Sequence, residues 1–184
     1  QKSKPVFEGI DQLTEYNQQK VLSAFIRNRV DETDFNTTTG YGYSDKGREK
    51  LDNLVADIFG TESAIIRAGA LASGTHTLAV CLYGILRPND VMLCVTGTPY
   101  DTLHSTIGLG GKNMGDGTLA DFGVHYQQVD LTENDEIDYD AIEECAKDKA
   151  VRMVYIQRSR GYSLRPTLTS TEIKKIVDIT KANS

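Results

Sequence analysis

Apolar residues fall along this chain in two alternating rhythms, helical spacings and short unbroken runs, and the alternation is the first guide to the fold. Leu51, Leu54, Val55, Ile58 and Phe59 repeat at i, i+3, i+4, i+7 and i+8, the stripe of an amphipathic helix, which Gly60 is suited to end. A second helical pattern from Phe7 to Val30 places Val21, Leu22, Phe25 and Ile26 on one side, interrupted by polar Tyr16 to Lys20; it reads as an N-terminal arm or packing helix. Ala64-Ile65-Ile66 predicts a strand, Thr75 to Leu86 a largely apolar helix stopped ahead of Pro88, and Val91 to Val95 a continuous apolar strand. A short strand around Tyr126 to Val129, a helix from Tyr139 to about Lys147, a strand from Met153 to Ile156 and a helix from Thr171 to about Lys181 follow. Strands this apolar are covered on both faces, and parallel pairs need crossover connections. The pattern therefore predicts an α/β fold: a helical arm over residues 1–34, then, over 35–184, part of a mostly parallel sheet covered by helices.

Composition narrows the class. A hydrophobic fraction of 39% beside 25% charged residues is that of a globular chain with a packed core and argues against disorder. The net charge of -6 disfavours nucleic acid as a partner, since phosphate backbones call for a basic patch. No apolar run approaches the roughly 20 residues that span a bilayer, and Gln1 to Pro5 lacks the apolar core of a secretion signal, so a cytoplasmic location is expected. Cys81, Cys94 and Cys145 sit in apolar or helical patterns without metal-ligand spacing and read as reduced core or helix residues. His104 and His125 have no companion ligands, and no metal is expected.

Candidate chemistry gathers where strands give way to helices. Arg67 to Thr77 links the strand predicted at residues 64–66 to the apolar helix. In it Ser73 is a good helix N-cap, and Gly74 lets a ligand approach the backbone closely. Free N–H groups of the first helical turn, at the positive end of the helix dipole, would hold a phosphate there. Thr96-Gly97-Thr98-Pro99-Tyr100-Asp101 leaves the carboxyl end of the apolar strand, the edge at which open α/β sheets bind ligands, and Tyr100 could lie flat against a heterocycle. The glycine-rich stretch Gly108 to Gly117 fits no phosphate-loop template, because Thr106 stands where the first glycine belongs and Asn113 follows Lys112; it is expected to be a plain loop. Arg158, Arg160 and Arg165 give the loop after the strand at 153–156 three guanidiniums able to grip a carboxylate.

The runs Tyr41-Gly42-Tyr43-Ser44-Asp45-Lys46-Gly47-Arg48-Glu49-Lys50-Leu51, Ser73-Gly74-Thr75-His76, Thr96 to Asp101 and Gln157-Arg158-Ser159-Arg160-Gly161-Tyr162-Ser163 resemble those of the cystathionine β-lyase-like, methionine γ-lyase-related proteins linked by name to aluminium resistance. The resemblance extends from about Phe35 to the last residue. It implies a fold-type-I enzyme using pyridoxal 5′-phosphate (PLP), with the cofactor phosphate on the turn of Ser73, Gly74 and Thr75 and the pyridine ring on Tyr100. It implies, too, a cross-subunit phosphate contact from a Tyr-x-Arg element, for which Tyr41 is the nearest match. Tyr43 stands in place of the arginine, and Arg48 or Tyr43 itself would substitute. Arg160, and next Arg158, would bind the substrate carboxylate.

The Schiff-base lysine and the acidic partner of the pyridine nitrogen are expected beyond Ser184, so the chain reads as the N-terminal part of the enzyme; Lys112, in the glycine-rich loop, is a poor candidate for that lysine. The implied activity is a carbon–sulfur lyase acting on a sulfur amino acid, in a homodimer or homotetramer with shared active sites. Another fold-type-I activity such as transamination stays open, as does a non-catalytic nucleotide-binding or structural subunit.

Overall fold

The computed structural model describes residues 4–41, 45–66, 69–110, 115–161 and 163–183. The chain groups into two compact units, Gln1–Leu71 and Ala72–Ser184. No helix among the described residues is long and apolar enough to cross a membrane.

In the first unit α1 (Lys4–Arg27) and α2 (Lys46–Phe59) flank a 3-10 turn over Glu32–Phe35. Asp31 caps that turn, its carboxylate accepting from the Thr33 N–H at 2.8 Å while the Asp34 carboxylate accepts from the Asp31 N–H at 2.8 Å. Lys50 ties α2 back to the turn by donating to the Arg29 carbonyl at 2.8 Å and to Asp34 at 2.5 Å. Arg27 holds Asp57 with two hydrogen bonds of 3.0 and 2.8 Å, joining the C-terminal end of α1 to α2. The predicted stripe of α2 is realised at its centre, with Leu54 buried and Val55 and Ile58 half-buried, while Leu51 and Phe59 at its ends are exposed, and Gly60 ends the helix in the left-handed region. On α1 the inward side differs from expectation. Ala24 is buried and Val21 and Phe25 half-buried, whereas Leu22 and Ile26 remain exposed; at 100° per residue they lie beside that face and not on it. The strand predicted at Ala64–Ile66 is absent. No described strand lies beside it to share a ladder, and the Ile66 N–H donates instead to the Asp52 carboxylate at 2.8 Å.

The second unit is a three-stranded parallel sheet in the order β2 (His125–Gln128), β1 (Val91–Cys94), β3 (Val151–Tyr155). Leu93 pairs with Gln127 on one side and Val154 on the other. All four residues of β1 are buried, as a central strand covered on both faces requires. Side chains alternate between faces, so Met92 enters one core cluster with Leu82, Leu103 and Leu119, while Leu93 and Val95 enter another with Ile142 and Ile176. At roughly 1.5–3 kcal/mol for each fully buried aliphatic side chain, these clusters are the main source of cohesion.

Helix α3 (Gly74–Ile85) precedes β1, a 3-10 turn (Asp101–Leu103) and the short α4 (His104–Ile107) follow it, and α5 (Tyr139–Ala146) and α6 (Ser170–Asn183) flank β3 in sequence. The turn and α4 were not predicted; four helical residues are too few to show a period. Gly108 ends α4 at φ +93°, where a Cβ would come within 2.8 Å of the Thr118 hydroxyl. Beyond it, Asp121 draws the described part of the glycine-rich stretch together, accepting from the N–H groups of Gly115, Gly117 and Thr118 at 2.9–3.0 Å and from the Thr118 hydroxyl at 3.0 Å. Lys112 lies outside the described residues. The cysteines are free: Cys94 buried, Cys145 half-buried and Cys81 exposed on α3.

Candidate cofactor-binding cleft

Within the second unit, the start of α3 and the loops that leave β1 and β3 come together at the carboxyl edge of the sheet. Their residues line a cleft of about 540 Å³ that includes Ser73, Gly74, Thr75, Tyr100, Gln157 and Gly161. Three of the residues predicted from sequence to hold a phosphate, and the tyrosine predicted to face a ring, thus share one space.

Ser73 is extended (φ -157°, ψ 167°) and caps α3, its hydroxyl accepting from the His76 N–H at 3.1 Å and its carbonyl from the Thr77 N–H at 3.0 Å. The N–H groups of Gly74 and Thr75 have no partner among the described residues, as the first turn of any helix leaves them. A Cβ built on Gly74 would meet nothing within 4 Å, so the backbone there is open to a ligand. The Thr75 hydroxyl donates to that of Thr102 at 3.1 Å, which links the helix start to the loop after β1. Two unpartnered donors on a positive helix end suit a phosphate monoester, and an aromatic ring in the same cleft suits a planar heterocycle. The residues present therefore fit a phosphorylated aromatic cofactor.

Tyr100 is held through both backbone and ring. Its N–H donates to the Gln157 side-chain oxygen at 2.7 Å, and its ring edge stands so close to Gly161 that a Cβ there would lie 3.1 Å from Cδ2 and Cε2. Gln157 reaches both loops: its own N–H donates to the Thr96 hydroxyl at 3.1 Å and its side-chain nitrogen to the Ser159 carbonyl at 3.3 Å. Tyr155, also on the cleft, has its phenol pushed up by burial, as does Tyr126. Both stay protonated at neutral pH. Burial also raises the Cys94 thiol, which donates to the Gly97 carbonyl at 3.0 Å.

The three arginines of the β3 loop separate into different roles. Arg165 is buried, and its guanidinium donates to the carbonyls of Gln157, Ser159 and Pro166 at 2.8, 2.9 and 3.1 Å; it shapes the loop. Arg158 donates through Nε to the Leu168 carbonyl at 3.2 Å. Arg160 has no side-chain partner among the described residues and lines a neighbouring cleft of about 560 Å³ that Tyr100 and Gln157 also border. Of the histidines, His76 accepts from the Ala72 N–H at 3.3 Å through Nδ1 and His104 Nε2 lies 2.9 Å from the Pro99 carbonyl. In the first unit Tyr41 is 83% exposed and Arg48 pairs with Asp45 at 2.8 Å; Tyr43 lies outside the described residues.

Sequence reasoning missed Thr102, Gln157 and Gly161 as parts of the site. Gln157 carried a usable signal, a polar residue directly beyond an apolar strand at the ligand-binding edge. The glycine required at 161 by Tyr100 carries none.

The methionine gamma-lyase family profile matches residues 1–184. Over 177 residues the chain is 41% identical to an uncharacterized Bacillus subtilis (strain 168) protein, covering 96% of this chain and 41% of that one. The crystal structure of a proposed cystathionine beta-lyase involved in aluminum resistance from Clostridium acetobutylicum superposes with a TM-score of 0.90 at 40% identity, over 100% of this chain and 43% of that one. A carbon-sulfur lyase involved in aluminum resistance from Clostridium novyi NT superposes at 0.88 with 44% identity, over 97% of this chain and 42% of that one. The chain thus spans about two fifths of the length of these relatives. With an α/β sheet matching theirs and a profile match along its whole length, the chain belongs to the methionine gamma-lyase family.

Proposed function

We propose that this chain supplies the phosphate-binding turn and ring wall of a PLP-dependent carbon–sulfur lyase that acts on a sulfur amino acid. The observation that carries the reading is the meeting, in one cleft, of the unpartnered N–H groups of Gly74 and Thr75 with Tyr100. The lyase assignment is supported by the names of the Clostridium relatives, of whose length this chain spans about two fifths.

When bound, PLP supplies an electron sink for cleavage beside the amino group of its substrate. The chain's own residues bind and orient. Gly74 and Thr75 donate to the phosphate, and the α3 dipole favours its negative charge. Tyr100 limits the tilt of the ring. Arg160, whose side chain has no partner among the described residues, meets the substrate carboxylate with a bidentate fork. Arg158 is the weaker candidate, since its Nε already serves Leu168.

The test is equilibrium dialysis of the full-length protein against PLP, followed by assay with cystathionine, cysteine and methionine, reading thiol and keto acid. Stoichiometric PLP binding with thiol release is expected. PLP binding with amino transfer and no thiol would move the protein to another activity of the same cofactor, and no PLP binding would refute the reading.

A further inference from the structure

We propose that Gln157 and Gly161 are positioning residues that fix the ring of Tyr100 at the wall of the cofactor cleft, the first by clamping its backbone and the second by leaving room for its edge. The inference rests on the PLP reading above and assigns roles to two residues which that reading leaves without one.

Tyr100 sits on the loop that leaves β1 at the carboxyl edge of the sheet. The clamp comes from the next loop of the edge. Gln157 follows β3 by two residues and is anchored at three points: its N–H on the Thr96 hydroxyl (3.1 Å), its side-chain oxygen on the Tyr100 N–H (2.7 Å), and its side-chain nitrogen on the Ser159 carbonyl (3.3 Å). Thr96 is only 3% exposed, so the anchor is set in the core. The amide serves both contacts at once, one end accepting from the Tyr100 N–H and the other donating to the Ser159 carbonyl. The loop that Gln157 opens is itself held by buried Arg165, which binds the Gln157 and Ser159 carbonyls at 2.8 and 2.9 Å. The clamp therefore bears on a braced segment.

Gly161 lies in the same braced loop. Its φ of +56° belongs to the left-handed region that disfavours a side chain, and its bare Cα faces the ring, where a Cβ would sit 3.1 Å from Cδ2 and Cε2. Such a contact is tighter than carbon atoms tolerate at their optimum of roughly 3.5–4.0 Å, so an alanine would push the ring by a few tenths of an ångström or more. A ring meant to lie flat on a heterocycle loses contact when it is pushed, and offset stacking depends on that separation. Both residues thus act on a ligand through Tyr100.

The experiment measures PLP dissociation constants by equilibrium dialysis for the full-length protein, wild type and Tyr100→Ala, each alone and combined with Gln157→Met or Gly161→Ala. Thermal melts without cofactor are run alongside. In the wild-type background each substitution is expected to weaken PLP by roughly two- to tenfold, the range of a lost aromatic stacking contact. In the Tyr100→Ala background, with no ring to position, neither should weaken it further. Inorganic phosphate, used as a competitor that needs only the α3 start, should bind all variants alike. Additive losses in the two backgrounds, or unchanged PLP affinity in variants of the intact tyrosine, would overturn the positioning roles while leaving the PLP reading in place. Failure of the wild-type protein to bind PLP would overturn both. Should Gly161→Ala fail to fold, Gln157→Met decides the question, with Gln157→Glu as the conservative partner. Glu keeps the acceptor for Tyr100 and should recover most of the affinity.

Discussion

Replacing Gly74 with alanine sets two consequences of one methyl group against each other. Gly74 is the first residue of α3 and has a φ that alanine can adopt, and a Cβ at this position meets nothing within 4 Å. The protein without ligand should therefore gain stability, by about 0.4–1 kcal/mol, because alanine restricts the unfolded chain more than glycine does. That open space is also where a phosphate must come close to the Gly74 and Thr75 N–H groups. A hydrogen bond to a charged acceptor contributes about 1.5–3 kcal/mol, so lengthening even one should cost at least about tenfold in affinity. Calorimetric melting of the ligand-free full-length protein, paired with dialysis against PLP and inorganic phosphate, separates the two signs. The expected result is a melting temperature unchanged or raised, with both ligands weakened. An alanine variant that binds both as tightly as wild type would refute the claim that the start of α3 grips the phosphate. A variant that merely melts earlier would refute the account of its open backbone.

Other outcomes follow from the same geometry. Ser73→Ala removes the cap on the His76 N–H and should destabilise by about 1 kcal/mol, read by denaturant unfolding. Arg160→Ala should raise KM for an amino-acid substrate with little change in kcat, whereas Arg158→Ala should have a smaller effect on KM, both read by steady-state kinetics of the full-length protein. Asp121 has its carboxyl held below the usual range, first by the Gly115 N–H and then by those of Thr118 and Gly117. A depressed folded-state value means its contribution is present above the unfolded carboxylate value of about 3.9 and is lost as pH falls through the lower folded value. Hydrogen exchange should show the Gly115, Gly117 and Thr118 amides protected at neutral pH and released only in strong acid, while Asp121→Asn, with one acceptor oxygen in place of two, should release either the Gly115 amide or the Gly117 and Thr118 pair at every pH. Ile176→Ala, at a fully buried position, should cost about 2–5 kcal/mol.

Much of this architecture could be read from the chain because its elements satisfy local rules. The stripe from Leu51 to Phe59 became α2 and ended at Gly60; the run beginning at Val91 became the central strand, since only a strand covered on both faces is apolar at every position. Ser73 and Gly74 were legible because capping and phosphate binding make demands on adjacent residues. Where the pattern misled, a partner decided the outcome. Ile65 and Ile66 look like a strand, yet a strand exists only beside another, and Ile66 took the Asp52 carboxylate instead. The three arginines of the β3 loop look equivalent in sequence; only their surroundings reveal that Arg165 shapes the backbone while the Arg160 side chain has no partner among the described residues. Gln157 and Gly161 act on Tyr100 across 57 and 61 positions of chain, a relation that no local spacing encodes.

A crystal structure of the full-length protein grown with PLP tests the central claim most directly. The account predicts phosphate oxygens about 2.7–3.2 Å from the N atoms of Gly74 and Thr75, with the pyridine ring lying along Tyr100. Cofactor bound elsewhere, or those two N–H groups turned to protein acceptors with PLP present, would contradict it.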